Sequence, residues 1–418
     1  MSPQANGAFG LLGMQYEEVY GVNPGTPDLT KIYFNKSSLA ASQQLNDSDI
    51  LTGDRNPSEP LLGNIDVKGS TDTELQAYIG MLLFGATGSI ETTMIGTGEA
   101  LGAALTTPTA TIDPYNMLLT VNCTAHGLIV GKVIQVAGIT TPVALNNTYL
   151  RVMKVPTANQ FICRIPRGVT GVFTLGAGTL KAVTTAATAY QHKFKSGGML
   201  PSFVAEIGFP DVPEYFLYNG VKVGSMSVTM KPDGAQSLSF NLTGSNETPS
   251  ATSFDSTAID LGKQSFAGAQ MGSIIEDVGG TNTTLGTVSG VDLSLENNLD
   301  DAAGYVCGSG GKRTSLPAKK LKLSGNLTVQ FDSMTLYNKA MAGTKTTLKI
   351  PFIIGTGLGL AGNESLEILF CELKFGRNTP TIDGDGGVMV KLPITGFYAN
   401  NANGAALMIT LKNTQPAP

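Results

Sequence analysis

The stretch Asn64-Ile65-Asp66-Val67-Lys68-Gly69 alternates polar and apolar side chains and ends on a glycine, the pattern of a half-buried β-strand. The same shape returns at Lys320-Leu321-Lys322-Leu323-Ser324-Gly325. Behind each glycine the apolar period changes from two to 3.6. Leu75, Tyr78, Ile79, Leu82 and Leu83 fall at helical spacing, with Thr71 and Glu74 at capping-box distance and Gly85 where a helix would stop. In the second place Ser333 can cap, Met334, Tyr337 and Met341 form the stripe, and Gly343 ends it. A strand, a helix and a return to strands, written twice, makes this chain an internal repeat.

The repeat extends in both directions. Upstream, Lys31–Leu39 and Val291–Leu299 are alike, which aligns Leu39 with Leu299. Each leads through a Gly-, Asp- and Ser-rich loop to a single arginine and then a proline, Arg55 with Pro60 and Arg313 with Pro317. Downstream, Val204–Ile207, Tyr215–Leu217, Val221–Met230 and Leu238–Leu242 read as strands. So do Thr347–Ile354, Leu366–Phe375, Val388–Thr395 and Ala406–Leu411. Between about 107 and 187 lies a segment without a counterpart, and Leu118–Cys123, Val133–Val136, Tyr149–Val155 and Gln160–Arg164 suggest a small β module there. The expected organisation is therefore a first unit over 1–106 and 188–250 and an inserted module over 107–187. A linker over 251–286 and a second unit over 287–418 complete it.

Composition narrows the class. Of 418 residues, 42% are hydrophobic and 14% charged, well under the roughly 25% charged of an average domain. Fifty-one glycines and no tryptophan fit turn-rich β structure, or a surface to be covered by neighbours, better than disorder. The net charge of −5 argues against a dedicated nucleic-acid binder, although DNA that passes without sticking is allowed. Met1–Gly13 lacks the basic start and apolar core of a signal peptide, and the apolar run Ile79–Phe84 falls far short of the roughly 20 residues of a membrane span. The four cysteines show no C-x-x-C pairing; whether Cys123 and Cys163 meet is open.

No constellation for catalysis stands up. Gly357-x-Gly359-x-x-Gly362 matches the dinucleotide fingerprint, but Leu366–Phe370 alternates like a strand where a helix is required. Gly311-Lys312 is followed by Arg313 instead of Ser or Thr, and the Asp383–Gly387 run places Ile394 where a calcium loop needs Glu. His126 and His192 have no cysteine or acid at metal or catalytic spacing. The expectation is a protein that is not an enzyme and uses no cofactor or metal.

Two segments carry a resemblance: Asp49-Ile50-Leu51-Thr52-Gly53-Asp54-Arg55-Asn56-Pro57 and Asn64–Ser70, with their second-copy relatives Leu295–Leu299 and Leu321–Val329. Together they resemble the major tail tube protein of long-tailed (siphovirus-type) bacteriophages. The insert is similar to a small β module of phage proteins through His126-Gly127-Leu128, Gly131, Val133, Gly138, Leu145–Tyr149 and Asn159-x-Phe161. The resemblance implies a mainly β chain with two tandem tail-tube-like β-sandwich or half-barrel domains, each flanked by one α-helix, plus the inserted β domain. It implies a structural virion protein, made in the host bacterial cytoplasm, that forms stacked rings around double-stranded DNA in transit. Six-fold rings are usual, so a duplicated unit implies a pseudo-six-fold ring of three chains. Implied partners are the chain itself and the tape-measure, tail terminator and distal tail proteins. A capsid decoration or surface-layer protein is the alternative.

Site residues follow from these readings. The loops Gln43–Leu62 and Asp300–Ala318 suit docking on a neighbour through Asp47, Asp49, Asp54, Arg55 and Arg313, since arginine makes forked bonds to carboxylates and carbonyls. Asp66 and Glu74, offset by Lys68, are candidates for lumen or near-lumen acids, with a subunit interface as the other reading. The insert is expected on the outside of the tube.

Overall fold

The computed structural model describes residues 4–51, 53, 55–382 and 384–418. The chain opens with β1 (Leu11–Tyr16), β2 (Thr30–Lys31), β3 (Lys36–Ser37), β4 (Ala40–Asn46), β5 (Leu61–Glu74), α1 (Gly80–Thr87) and β6 (Ile90–Met94). Then come β7 (Ala100–Ala104), β8 (Thr109–Asp113), β9 (Leu118–Asn122), β10 (Val133–Ala137), β11 (Thr148–Thr157), β12 (Gln160–Arg164) and β13 (Thr179–Thr185). The middle holds β14 (Tyr190–Lys195), β15 (Phe203–Phe209), β16 (Glu214–Met230), β17 (Ser237–Gly244), β18 (Asn246–Ser250), β19 (Ile274–Val278) and β20 (Thr281–Leu285). The chain closes with β21 (Val288–Glu296), β22 (Lys322–Gln330), α2 (Thr335–Ala342), β23 (Thr346–Ile353), β24 (Ser365–Phe375), β25 (Met389–Gly396) and β26 (Leu407–Asn413).

The fold is mainly β, as read from the sequence, and the repeat is explicit in the strand order. The first copy runs β4-β5-β17-β16-β15-β1 and the second β21-β22-β25-β24-β23-β19, every neighbour antiparallel. Alternation makes these strands: β23 and β26 bury every second residue, which places Leu348, Ile350, Phe352, Leu407, Ile409 and Leu411 in the core. The copies are fused into one sheet where β21 pairs with the far half of β16, and one apolar core runs through both. β7 to β13 form a separate seven-stranded sheet with its own core around Leu119, Ile134, Val152 and Phe161. It is entered from β6 and left into β14, which pair from Met94 opposite Tyr190.

Several local expectations need correction. Thr71 and Glu74 do not cap a helix; they lie in β5, held by ladder bonds to β17, and α1 starts only at Gly80. It ends at Gly88, in the left-handed conformation with φ 81°, and not at Gly85. Gly85 is internal because a Cβ there would stand 2.8 Å from Val223 and 2.9 Å from Phe203, so its absence lets the helix sit close on the sheet. In the second copy Ser333 bonds the Thr335 hydroxyl instead of capping α2, while Gly343 (φ 61°) does end it. The ladder also shifts the alignment of the copies. Leu39 is opposite Gly69 and Leu293 opposite Gly325, so Leu39 corresponds to Leu293, not Leu299. The two glycines share one cause: a Cβ at Gly69 would lie 2.4 Å from the Leu39 backbone, and at Gly325 2.2 Å from the Asp292 carbonyl.

Candidate assembly interface

The most elaborate polar site is the junction between the copies, and Arg313 is its centre. The Asp300–Ala318 loop of the second copy lies on the first, beside the start of β5 and the end of β17. Arg313 is buried there. Its Nε and Nη1 donate to the carbonyls of Asp301 and Gly244, both at 2.9 Å, and its Nη2 pairs with the Asp66 carboxylate. The guanidinium lies 4.8 Å from the Tyr305 ring centroid. Its own carbonyl accepts from Ser245 Oγ. Tyr305 donates to the Ile65 carbonyl (2.7 Å), the Ile65 amide to Gly311 (2.9 Å) and Lys222 Nζ to Leu316 (2.9 Å). The loop is therefore sewn to the first copy through backbone groups on both sides.

The charges around Asp66 balance. Burial works against its ionisation, but Arg313 and Lys68 outweigh that and hold the carboxyl below its usual range. Lys68 in turn is raised mainly by Asp301, 2.5 Å away. Above this cluster, Asn297 at the end of β21 donates to the Ala86 carbonyl of α1 (3.0 Å) and the Val223 carbonyl (2.9 Å). All eight residues of α1 are buried, whereas none of the eight in α2 is. The sequence pointed to Arg313 and Asp66 separately, and the structure brings them together. Asn297 was missed; the only signal was its place at the end of an apolar-polar run.

The other candidates lie elsewhere. Asp47, Asp49 and Arg55 are exposed on the β4–β5 connection, and Asp54 falls outside the described residues. That arm also exposes Leu45, Ile50, Leu51, Leu61 and Leu62, from 63% to 96% of their surface. Glu74 is held below its ordinary range by the Ser265 hydroxyl and by Lys263 at 3.2 Å, both from the 251–286 segment. Gly357, Gly359 and Gly362 form left-handed turns between β23 and β24, with no helix following. His126 accepts from the Leu128 amide at Nδ1 and packs edge-on against Phe161. His192 is buried between Thr92 and Asn413, and burial holds its pKa down at about 4. All four cysteines are free, so Cys123 and Cys163 do not pair; Cys307 alone is exposed. No helix among the described residues is long and apolar enough to cross a membrane.

A family model described as phage tail tube protein matches residues 7–396, a span that holds every strand but β26. A search of curated proteins found no match.

Proposed function

The chain belongs to the phage tail tube protein family, and from that premise we propose that three chains close into a pseudo-six-fold ring and that rings stack into the tube through which genomic DNA passes. The family is one of structural tail proteins, which places the chain in the virion tail. One observation carries the finer reading: the two copies share one strand order and are already joined edge to edge by β16 and β21, leaving β4 and the far end of the second copy for the next chain. Copies that repeat one heterologous contact either close into a ring or run on as a filament. The exposed apolar arm between β4 and β5 and the low charge suit surfaces covered by neighbours. In this reading the tube ends on the tape-measure, terminator and distal tail proteins.

Electron microscopy with native mass measurement tests the proposal. Rings containing three chains of 43.5 kDa, alone or stacked, are expected. Dispersed monomers under all conditions would overturn it. The β7–β13 module is proposed to project outward. Because Met94 and Tyr190 face each other in a ladder, a short turn can replace the residues between them. That deletion is expected to keep the bore and reduce only the outer diameter; a changed bore would place the module in the wall.

A further inference from the structure

The junction inside the chain is a template for the one between chains. We propose that a second copy of this chain docks its Lys36–Asn46 edge on residues 376–382 and α2 of the first, in the register that β21 uses on β16. The inference rests on the ring reading above and specifies its contact.

The ladders fix the correspondence. Gly69 faces Leu242 and Gly325 faces Ile394; Leu242 faces Val223 and Ile394 faces Phe375. Val223 thus matches Phe375, the next residue is glycine in both copies (Gly224 and Gly376), and Ser225–Met230 matches 377–382. Yet Ser225–Met230 is a strand between β17 and β21, while no strand is assigned across 376–382. That segment already lies beside β25, where Asn378 donates its side-chain amide to the Lys391 carbonyl (2.8 Å). The missing neighbour is the equivalent of β21.

That equivalent is β3 and β4. With Leu39 matching Leu293, Ala41 matches Leu295, Gln43 matches Asn297 and Leu45 matches Leu299. Among the described residues β4 pairs with β5 alone, so its other edge is bare. The Ser38 amide donates to Ser70, and strand alternation turns the amides of Leu39, Ala41 and Gln43 toward that bare edge. In the internal junction the Asn297 amide donates to Gly224, which makes Gly224/Asn297, Met226/Leu295 and Val228/Leu293 the hydrogen-bonded pairs. Between chains these become Gly376/Gln43 and Asn378/Ala41. Pro380 opposite Leu39 lacks one donor. The Gln43 side chain takes the place of Asn297, whose bond to Ala86 two residues before Gly88 becomes one to Met341 two before Gly343. Leu45, 63% exposed, would cover Gly376 as Leu299 covers Gly224. Residues 377–382 then become a strand on docking, and α2 gains near its C-terminal end the kind of contact that Asn297 makes with α1.

The test is a disulfide in that register, in full-length protein with Cys307→Ser. Ala41→Cys with Asn378→Cys places paired Cα atoms about 5.5 Å apart, within disulfide reach. Under mild oxidation most of the chain is expected to shift to linked dimers and trimers. Either single variant, or Ala41→Cys with Ile382→Cys, is expected to leave monomers on a reducing-agent-free gel. Ala41→Pro removes an outward amide but no β4–β5 bond, and is expected to give a folded monomer, checked by circular dichroism, that does not assemble. If native chains form rings while the cysteine pair stays unlinked and Ala41→Pro assembles, this register is wrong and the ring reading stands. If native chains never associate, both fall. Linked dimers that never close would keep the contact and refute the ring.

Discussion

Replacing Arg313 by alanine tests whether the internal junction is held by one buried side chain. The guanidinium serves two carbonyls, Gly244 and Asp301, each at 2.9 Å, and a hydrogen bond from a charged donor contributes about 1.5 kcal/mol or more. Truncation leaves both carbonyls without that donor, a loss of about 3 kcal/mol. Asp66 counts for less: its side chain is 39% exposed and Lys68 stays 3.2 Å away, so the ion pair adds at most about 1 kcal/mol. The Tyr305 contact contributes a further ~0.5 kcal/mol. A total near 4 kcal/mol is expected, read in urea as a lower unfolding midpoint at unchanged slope. Arg313→Lys keeps the charge but not the fork, and should recover under half of the loss. Arg55→Ala, in the exposed β4–β5 connection, should change stability by less than about 0.5 kcal/mol while impairing assembly. An Arg313→Ala midpoint close to wild type, or an equal loss from Arg55→Ala, would refute this account.

Gly69→Ala and Gly325→Ala should each cost roughly 1–3 kcal/mol, because the new methyl meets strand backbone and not a movable side chain; thermal melts would show it. His192 is kept neutral by burial, its pKa near 4 against an ordinary 6.5, so its contribution of about 3 kcal/mol is complete above pH 6.5 and disappears as pH falls toward 4. His192→Gln should therefore remove that part of the acid destabilisation, and parallel pH-stability curves for the two proteins would contradict it. A thiol reagent should titrate one cysteine, Cys307, in the folded chain and four in denaturant, since burial raises the Cys163 thiol and pushes that of Cys371 up to about 11.

The sequence carried the strands better than the helix, for a physical reason. In β17 and β25 every second side chain enters the core, so a period of two survives in the residues Ser237–Leu242 and Val390–Ile394. Around α1 there is no polar face: Gly80–Thr87 is buried on every side, and an apolar run has no phase from which to place an end. Thr71 and Glu74 had the spacing of a capping box, but β17 offered their backbones a full ladder and the strand continued. The slip that aligned Leu39 with Leu299 was six residues. An even slip leaves each side chain on its own face of the sheet, so alternation cannot detect it; only the partner strand can. The site was half legible. A lone arginine in a polar loop announces a contact, whereas its partners, the Gly244 and Asp301 carbonyls, have no signature in side-chain identity.

The two copies also differ at the position that receives the junction arginine. Asp66 receives Arg313, and the matching position of the second copy, three residues before Gly325, is Lys322, paired with Glu296 at 3.2 Å. In the arrangement proposed here, a loop carrying Arg313 that met a second copy in place of a first would bring a guanidinium to a lysine. Like charges at a largely desolvated contact cost free energy, so that pairing is disfavoured. In that arrangement the exchange of Asp66 for Lys322 disfavours the Arg313 loop on a second copy, the contact that would join two second copies. We propose that this difference in sign helps to hold first and second copies in alternation around the ring.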